Sequence, residues 1–158
     1  MITIYKNPNG DTRTAPKNVS FEDFQKANDM HKQDVKNVMN ELALELMVKG
    51  DIHDHTKKTY EKLFYDNFIS TINNNTDFVN DEWYKLHIEK ERHHLFSRVP
   101  DDVNLLDVIE MIVDCICAGK ARSGEIRDLE INEEILVKAL NNTVKLVDEL
   151  TECSELKL

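Results

Sequence analysis

An all-α fold is what this chain predicts, on three observations. Only four glycines and three prolines interrupt its 158 residues. Apolar residues recur at steps of three and four over long stretches. Polar residues suited to capping stand where those stretches begin.

The opening run Ile2-Thr3-Ile4-Tyr5, followed by Asn7-Pro8-Asn9-Gly10, reads as a short strand and turn, and Pro16 separates it from the first helical stretch. Ser20 is a good N-cap with Asp23 three residues on, and no breaker intervenes before Gly50, so a long first helix is expected. Its stripe of Phe24, Ala27, Val35, Val38, Leu42 and Leu46 also carries His31, which is therefore expected to point inward. A second helix is expected from near His53, through Tyr60, Leu63, Phe64, Phe68 and Ile72, ending in the polar loop Asn73-Asn74-Asn75. Residues 79–91 read as a short helix in which Trp83 and His87, four apart, share a face.

After the Ser97-Arg98-Val99-Pro100 break, Asp101 or Asp102 can cap a nearly apolar helix running to about Ala118. Asp107, Glu110 and Asp114 share one face of that helix, and burying such carboxylates without partners would cost several kcal/mol, roughly. Asn132 starts a last helix with the packing stripe Leu136, Leu140, Val144, Val147 and Leu150. One helical domain over 20–152 is expected, with an extended appendage at 1–19 and a polar tail at 153–158.

A formal charge of −10 argues against duplex nucleic acid as the main partner, because phosphate backbones are bound by surplus Lys and Arg. No apolar run approaches the roughly 20 residues that span a bilayer, and the first residues lack the basic and apolar regions of an export signal. A soluble cytoplasmic protein without a membrane partner is the expectation. Cys115, Cys117 and Cys153 form no Cys-x-x-Cys pair, and their odd number suits reduced thiols.

All six histidines lie between residues 31 and 94: His31, His53, His55, His87, His93 and His94. Neutral imidazole binds transition metals and a carboxylate can bridge two ions, so this cluster with Asp54 and Asp114 has the makings of a dinuclear centre. The tightest run is His53-Asp54-His55-Thr56-Lys57. Neighbours on a helix diverge by about 100°, so His53 and Asp54 can straddle a metal beside a helix start, with Asp54 placed to bridge. His55 reads as a surface or substrate-facing residue. Glu110 either accepts a hydrogen bond from a ligating histidine or pairs with Arg or Lys. Lys120 and Arg122 follow Asp114 closely and suit a phosphate, although cations at a helix end also complement its dipole. Trp83 and Tyr84 offer rings to a base or, at helical spacing, to the core.

The histidine, the adjacent His-Asp pair with a lysine three residues on, and the distant aspartate resemble the HD-domain superfamily of metal-dependent phosphohydrolases over about residues 24–120. The resemblance is nearest to small phage and bacterial HD-like proteins, with which the chain shares the later His-His and the run Glu110-Met111-Ile112-Val113-Asp114. It implies an HD-like helical bundle in which His31, His53, Asp54 and Asp114 hold one metal. Asp54 would bridge to a second metal held by His87 and one or both of His93 and His94. The Gly-Tyr-Pro signature of the cyclic dinucleotide phosphodiesterases is missing.

The implied chemistry is hydrolysis of a phosphoester, most plausibly in a nucleotide, by two divalent transition metal ions drawn from Mn, Fe, Ni or Zn, with Mg as a further candidate. Lys57 would stabilise the transition state, and Lys120 and Arg122 would meet the phosphate. A phage origin would place the protein in the cytoplasm of a bacterial host, and assembly into a homo-oligomer is left open. Two other classes stay in view: a di-iron oxygenase using a similar ligand set, and a non-catalytic interaction protein stapled by metal.

Overall fold

The computed structural model describes residues 1–126 and 128–156. Helices dominate: α1 (Phe21–Ile52), α2 (His55–Thr59), α3 (Glu61–Asn74), α4 (Glu82–Lys90), α5 (Leu105–Ser123) and α6 (Glu133–Leu150). Two short strands flank them, β1 (Ile2–Lys6) and β2 (Thr151–Glu155). The mostly helical fold and the short N-terminal strand are those the sequence predicts. Among the described residues no helix is long and apolar enough to cross a membrane.

The chain falls into two compact units, Met1–Glu45 with Val144–Leu158, and Leu46–Thr143, with the boundaries inside α1 and α6. In the first unit β1 and β2 pair in parallel, from Ile2 opposite Thr151 to Lys6 opposite Glu155. Residues 153–155, expected in a polar tail, are thus ladder, because β1 presents backbone donors and acceptors that need partners. The last two residues of that tail lie outside the described residues. Ser20 caps α1 as expected, its hydroxyl accepting from the Asp23 amide at 3.0 Å.

Within α1 the only buried residue is Ala27, and His31 is exposed, as are Phe24 and Val35 of the same stripe. The inward position expected for His31 is therefore not adopted. Helical spacing puts residues on a common face but does not say that anything covers it.

The second unit is built on a core of Leu95, Val103, Val108, Met111 and Ala139, against which Val99, Leu105, Ile131, Ile135 and Leu136 pack. Burying each large apolar side chain contributes about 1.5–3 kcal/mol. The expected helix from His53 to Ile72 is two helices, broken at Tyr60, whose φ of −118° and ψ of 35° interrupt the α conformation. The cap of α5 is Asn104, not Asp101 or Asp102. Its side chain accepts from the amides of Leu106 and Asp107, and Asp107 reaches back to the Asn104 amide at 3.0 Å. Asp102 instead receives Arg92 at 3.0 and 3.1 Å. The helix also runs past Ala118 to Ser123, where Gly124, with φ of 77°, provides the left-handed residue that ends it.

Candidate metal centre

Every element of the candidate centre belongs to the Leu46–Thr143 unit. The end of α1 supplies Lys49, the turn after it His53 and Asp54, and α2 Thr56 and Lys57. Helix α4 carries His87, the turns after it carry Glu91 to His94, and α5 presents Asp107, Glu110 and Asp114 at helical steps of three and four. Asp54 sits at the N-cap of α2 in the left-handed region, φ 55° and ψ 29°, a conformation costing an L residue roughly 1–2 kcal/mol. Its side chain makes no capping hydrogen bond.

Asp54 belongs to two donor groups, one with His53 and His93 and the other with His87 and His94, each with ligand atoms within 4.8 Å of one another. In the first, His53 Nε2 is 3.5 Å from Asp54 Oδ2 and His93 Nε2 is 3.7 Å from Asp54 Oδ1. In the second, His87 Nε2 lies 3.3 Å from Asp54 Oδ1 and 2.7 Å from His94 Nε2. Lys57 pairs with Asp54 Oδ2.

Sequence alone left open which of His93 and His94 faces inward. Both do, one in each group, because they lie in tight turns closed by Leu95 N to His93 O and Ser97 N to His94 O. Asp114 stands close by, 3.4 Å from His53 Nε2, and lines the adjoining cavity. His31, expected to complete the first set, lies exposed on α1 in the other unit and is in neither group. The third member of the first group is His93.

The surroundings suit a cation. Asp54 Oδ1 and both ring nitrogens of His93 are buried without a hydrogen-bond partner among the described residues. Such orphaned atoms each cost about 1–3 kcal/mol, and an ion held by Asp54 Oδ1 and His93 Nε2 would offset the cost of those two, whereas His93 Nδ1 faces Glu110. Imidazole and carboxylate donors at this spacing are ones that could hold a metal ion.

A second layer orients the donors. Glu110 Oε1 is 3.0 Å from His53 Nδ1 and 3.1 Å from His93 Nδ1, the latter off the line of a hydrogen bond. Glu110 also pairs with Lys49 at 3.3 Å, so it fills both roles that its sequence position allowed. Burial works against ionisation of Glu110, but the two imidazoles and Lys49 outweigh it and hold the carboxyl down at about 2. Behind it Asp107, fully buried, accepts from Lys49 at 2.6 Å and from Arg92 at 3.0 and 2.9 Å.

On the other side Thr56, fully buried, bridges His87 Nδ1 and Glu91 Oε1, each 2.6 Å from its hydroxyl. His55 Nδ1 reaches the same Glu91 oxygen at 3.1 Å, with the ring half exposed, as its surface reading suggested. Thr56, Glu91, Lys49 and Arg92 carried no signal in the sequence beyond their adjacency to His-rich runs.

A cavity of about 540 Å³ opens beside the donors, lined by Lys57, His87, His94, Asp114, Arg122 and an aromatic wall of Phe64, Phe78, Trp83 and Tyr84. Lys57 and Arg122 thus border this cavity, whereas Lys120 is exposed and does not line it. Trp83 is buried and stacks on Phe64 and His87, with ring centroids 4.0 and 4.6 Å apart. Its role is packing.

Fold and donors together define a mostly helical protein with His and Asp groups able to hold metal. Residues 20–152 match the family of unknown function DUF5662, and the chain belongs to that family. No curated protein and no solved structure matches the chain.

Proposed function

We propose that the protein is a dinuclear metal-dependent phosphohydrolase acting on a nucleotide or a related phosphoester. The observation that carries this reading is the sharing of Asp54 by two imidazole-containing donor groups beside a cavity bordered by two cations. His53, His93 and Asp54 would hold one ion, His87, His94 and Asp54 the other, with Asp114 next to the first. When bound, a pair of divalent ions supplies Lewis acidity and a water acidic enough to lose its proton near neutral pH.

The chain's own residues do the rest. Arg122 can grip a phosphate with two parallel hydrogen bonds, and Lys57 adds a point charge where negative charge builds up on the phosphoryl oxygens. These local cations matter because the net charge of −10 otherwise repels an anionic substrate. Tyr84 and Phe78 give the cavity an aromatic side for a base.

The test is metal content by elemental mass spectrometry on protein purified without chelator and on Asp54→Ala, followed by a screen of nucleotide mono- and diesters with Mn²⁺, with and without oxygen. The expected result is two ions per chain, lost in the variant, and oxygen-independent phosphate release. Bound iron with oxygen-dependent turnover would replace this reading with an oxygenase. Bound metal that raises the melting temperature without any turnover would replace it with a metal-stapled interaction protein.

A further inference from the structure

The Thr56 hydroxyl has one proton and two close partners. Glu91 is an acceptor when ionised, and at 2.6 Å two oxygen atoms without a proton between them would repel, so the hydroxyl donates to Glu91. Its lone pair is then what faces His87 Nδ1 at 2.6 Å, which requires that nitrogen to carry the ring proton. Glu91 is anchored in turn by the Thr56 amide at 2.8 Å, and Trp83, stacked on the His87 ring with 17° between planes, fixes its tilt. The Nε2 atom left bare by this arrangement is the one that lies 3.3 Å from Asp54 and 2.7 Å from His94.

We propose that Thr56 and Glu91 are positioning residues that lock His87 in the Nδ1-protonated tautomer, so that Nε2 is presented as a metal ligand. The two donor groups are then supported independently, one by Glu110 and the other by this hydroxyl relay. The inference rests on the metal-centre reading above. A neutral histidine ligand is pinned by the hydrogen bond its other nitrogen makes, and loss of such a partner weakens metal binding by roughly 10–100-fold.

The experiment uses the full chain, freed of metal and labelled with ¹⁵N, as wild type, Thr56→Ser and Thr56→Val. Imidazole ¹⁵N shifts report the His87 tautomer, and calorimetric titration with Zn²⁺ reports both equivalents. Wild type and Thr56→Ser are expected to show a protonated Nδ1 and a bare Nε2 at His87. Thr56→Val is expected to lose that pattern and to bind one of the two Zn²⁺ equivalents at least about tenfold more weakly. Zn²⁺ bound by wild type with the opposite His87 tautomer would overturn the relay and leave the metal reading standing, as would a Thr56→Val protein that binds both equivalents like wild type. The expected tautomer with no Zn²⁺ bound would overturn the metal reading, and with it the ligand role of Nε2, while leaving the hydrogen bonds as described. Should Thr56→Val fail to fold, the wild-type tautomer and Thr56→Ser titration still decide between these outcomes.

Discussion

Two pairs of histidines share one aspartate, yet they sit in opposite electrostatic surroundings. His53 is backed by the Glu110 carboxylate, and although burial works against its protonation, Glu110, Asp54 and Asp114 outweigh it and raise its pKa. His87 is backed by a neutral hydroxyl, and burial with the neighbouring His94 pushes its pKa down to about 4. His94 is lowered for the same kind of reason, burial first and His93 second. Residue type sets which atoms can bind a metal. Burial and the charged neighbours of each ring decide how basic those atoms are.

The comparison breaks most severely at Asp107. Asp107→Ala leaves Lys49 and Arg92 without their shared carboxylate and removes half of the α5 capping box, so a destabilisation of about 3 kcal/mol is expected. Urea denaturation measures it.

Acid sharpens the same contrast. His87 ordinarily takes a proton near 6.5 but does so only near 4 when folded. The unfolded chain therefore binds that proton first, and stability present above about 6.5 is lost as pH falls toward 4, on the order of 3 kcal/mol. His53 behaves oppositely: its raised pKa contributes stability below about 6.5 that is lost as pH rises through its folded value. In chelated protein, denaturant midpoints across pH should show His87→Gln flattening the acid limb and His53→Gln flattening the neutral limb. Identical curves for the two variants would erase the asymmetry.

A smaller effect is expected from Glu110→Gln, which keeps an acceptor but removes the charge. Calorimetric titration should show one metal equivalent weakened by about 10–100-fold and the other unchanged. The smallest effect concerns substrate alone. Arg122→Ala is expected to raise KM for a phosphoester about tenfold, as for loss of one charged hydrogen bond, whereas Lys120→Ala should leave KM at the wild-type value.

Much of this was legible in the order of residues. The scarcity of Gly and Pro and the spacing of apolar positions predicted the helices, and Ser20 and Asn132 marked starts that the structure keeps. Asp54 was the natural common member of a metal set because it adjoins His53 and stands apart from the other candidates. Asp107, Glu110 and Asp114 on one face of an apolar helix announced partners, and Lys49, Arg92 and His53 are those partners.

Other features had no local signature. His31 occupied an apolar stripe as convincingly as His87 did, yet one is exposed and the other buried. Thr56 looked like a spacer within a ligand run. Periodicity along a chain fixes only which side chains share a face of their own helix, and donor chemistry fixes only what they are able to bind. Which face is covered, which of two adjacent histidines joins which group, and which group stands behind each ring depend on segments 30 or more residues apart meeting in space, as Thr56 meets His87 and Glu91, and His53 meets Glu110. Those meetings are set by the packing of α2, α4 and α5 against their neighbours, so they emerge only when the chain is folded.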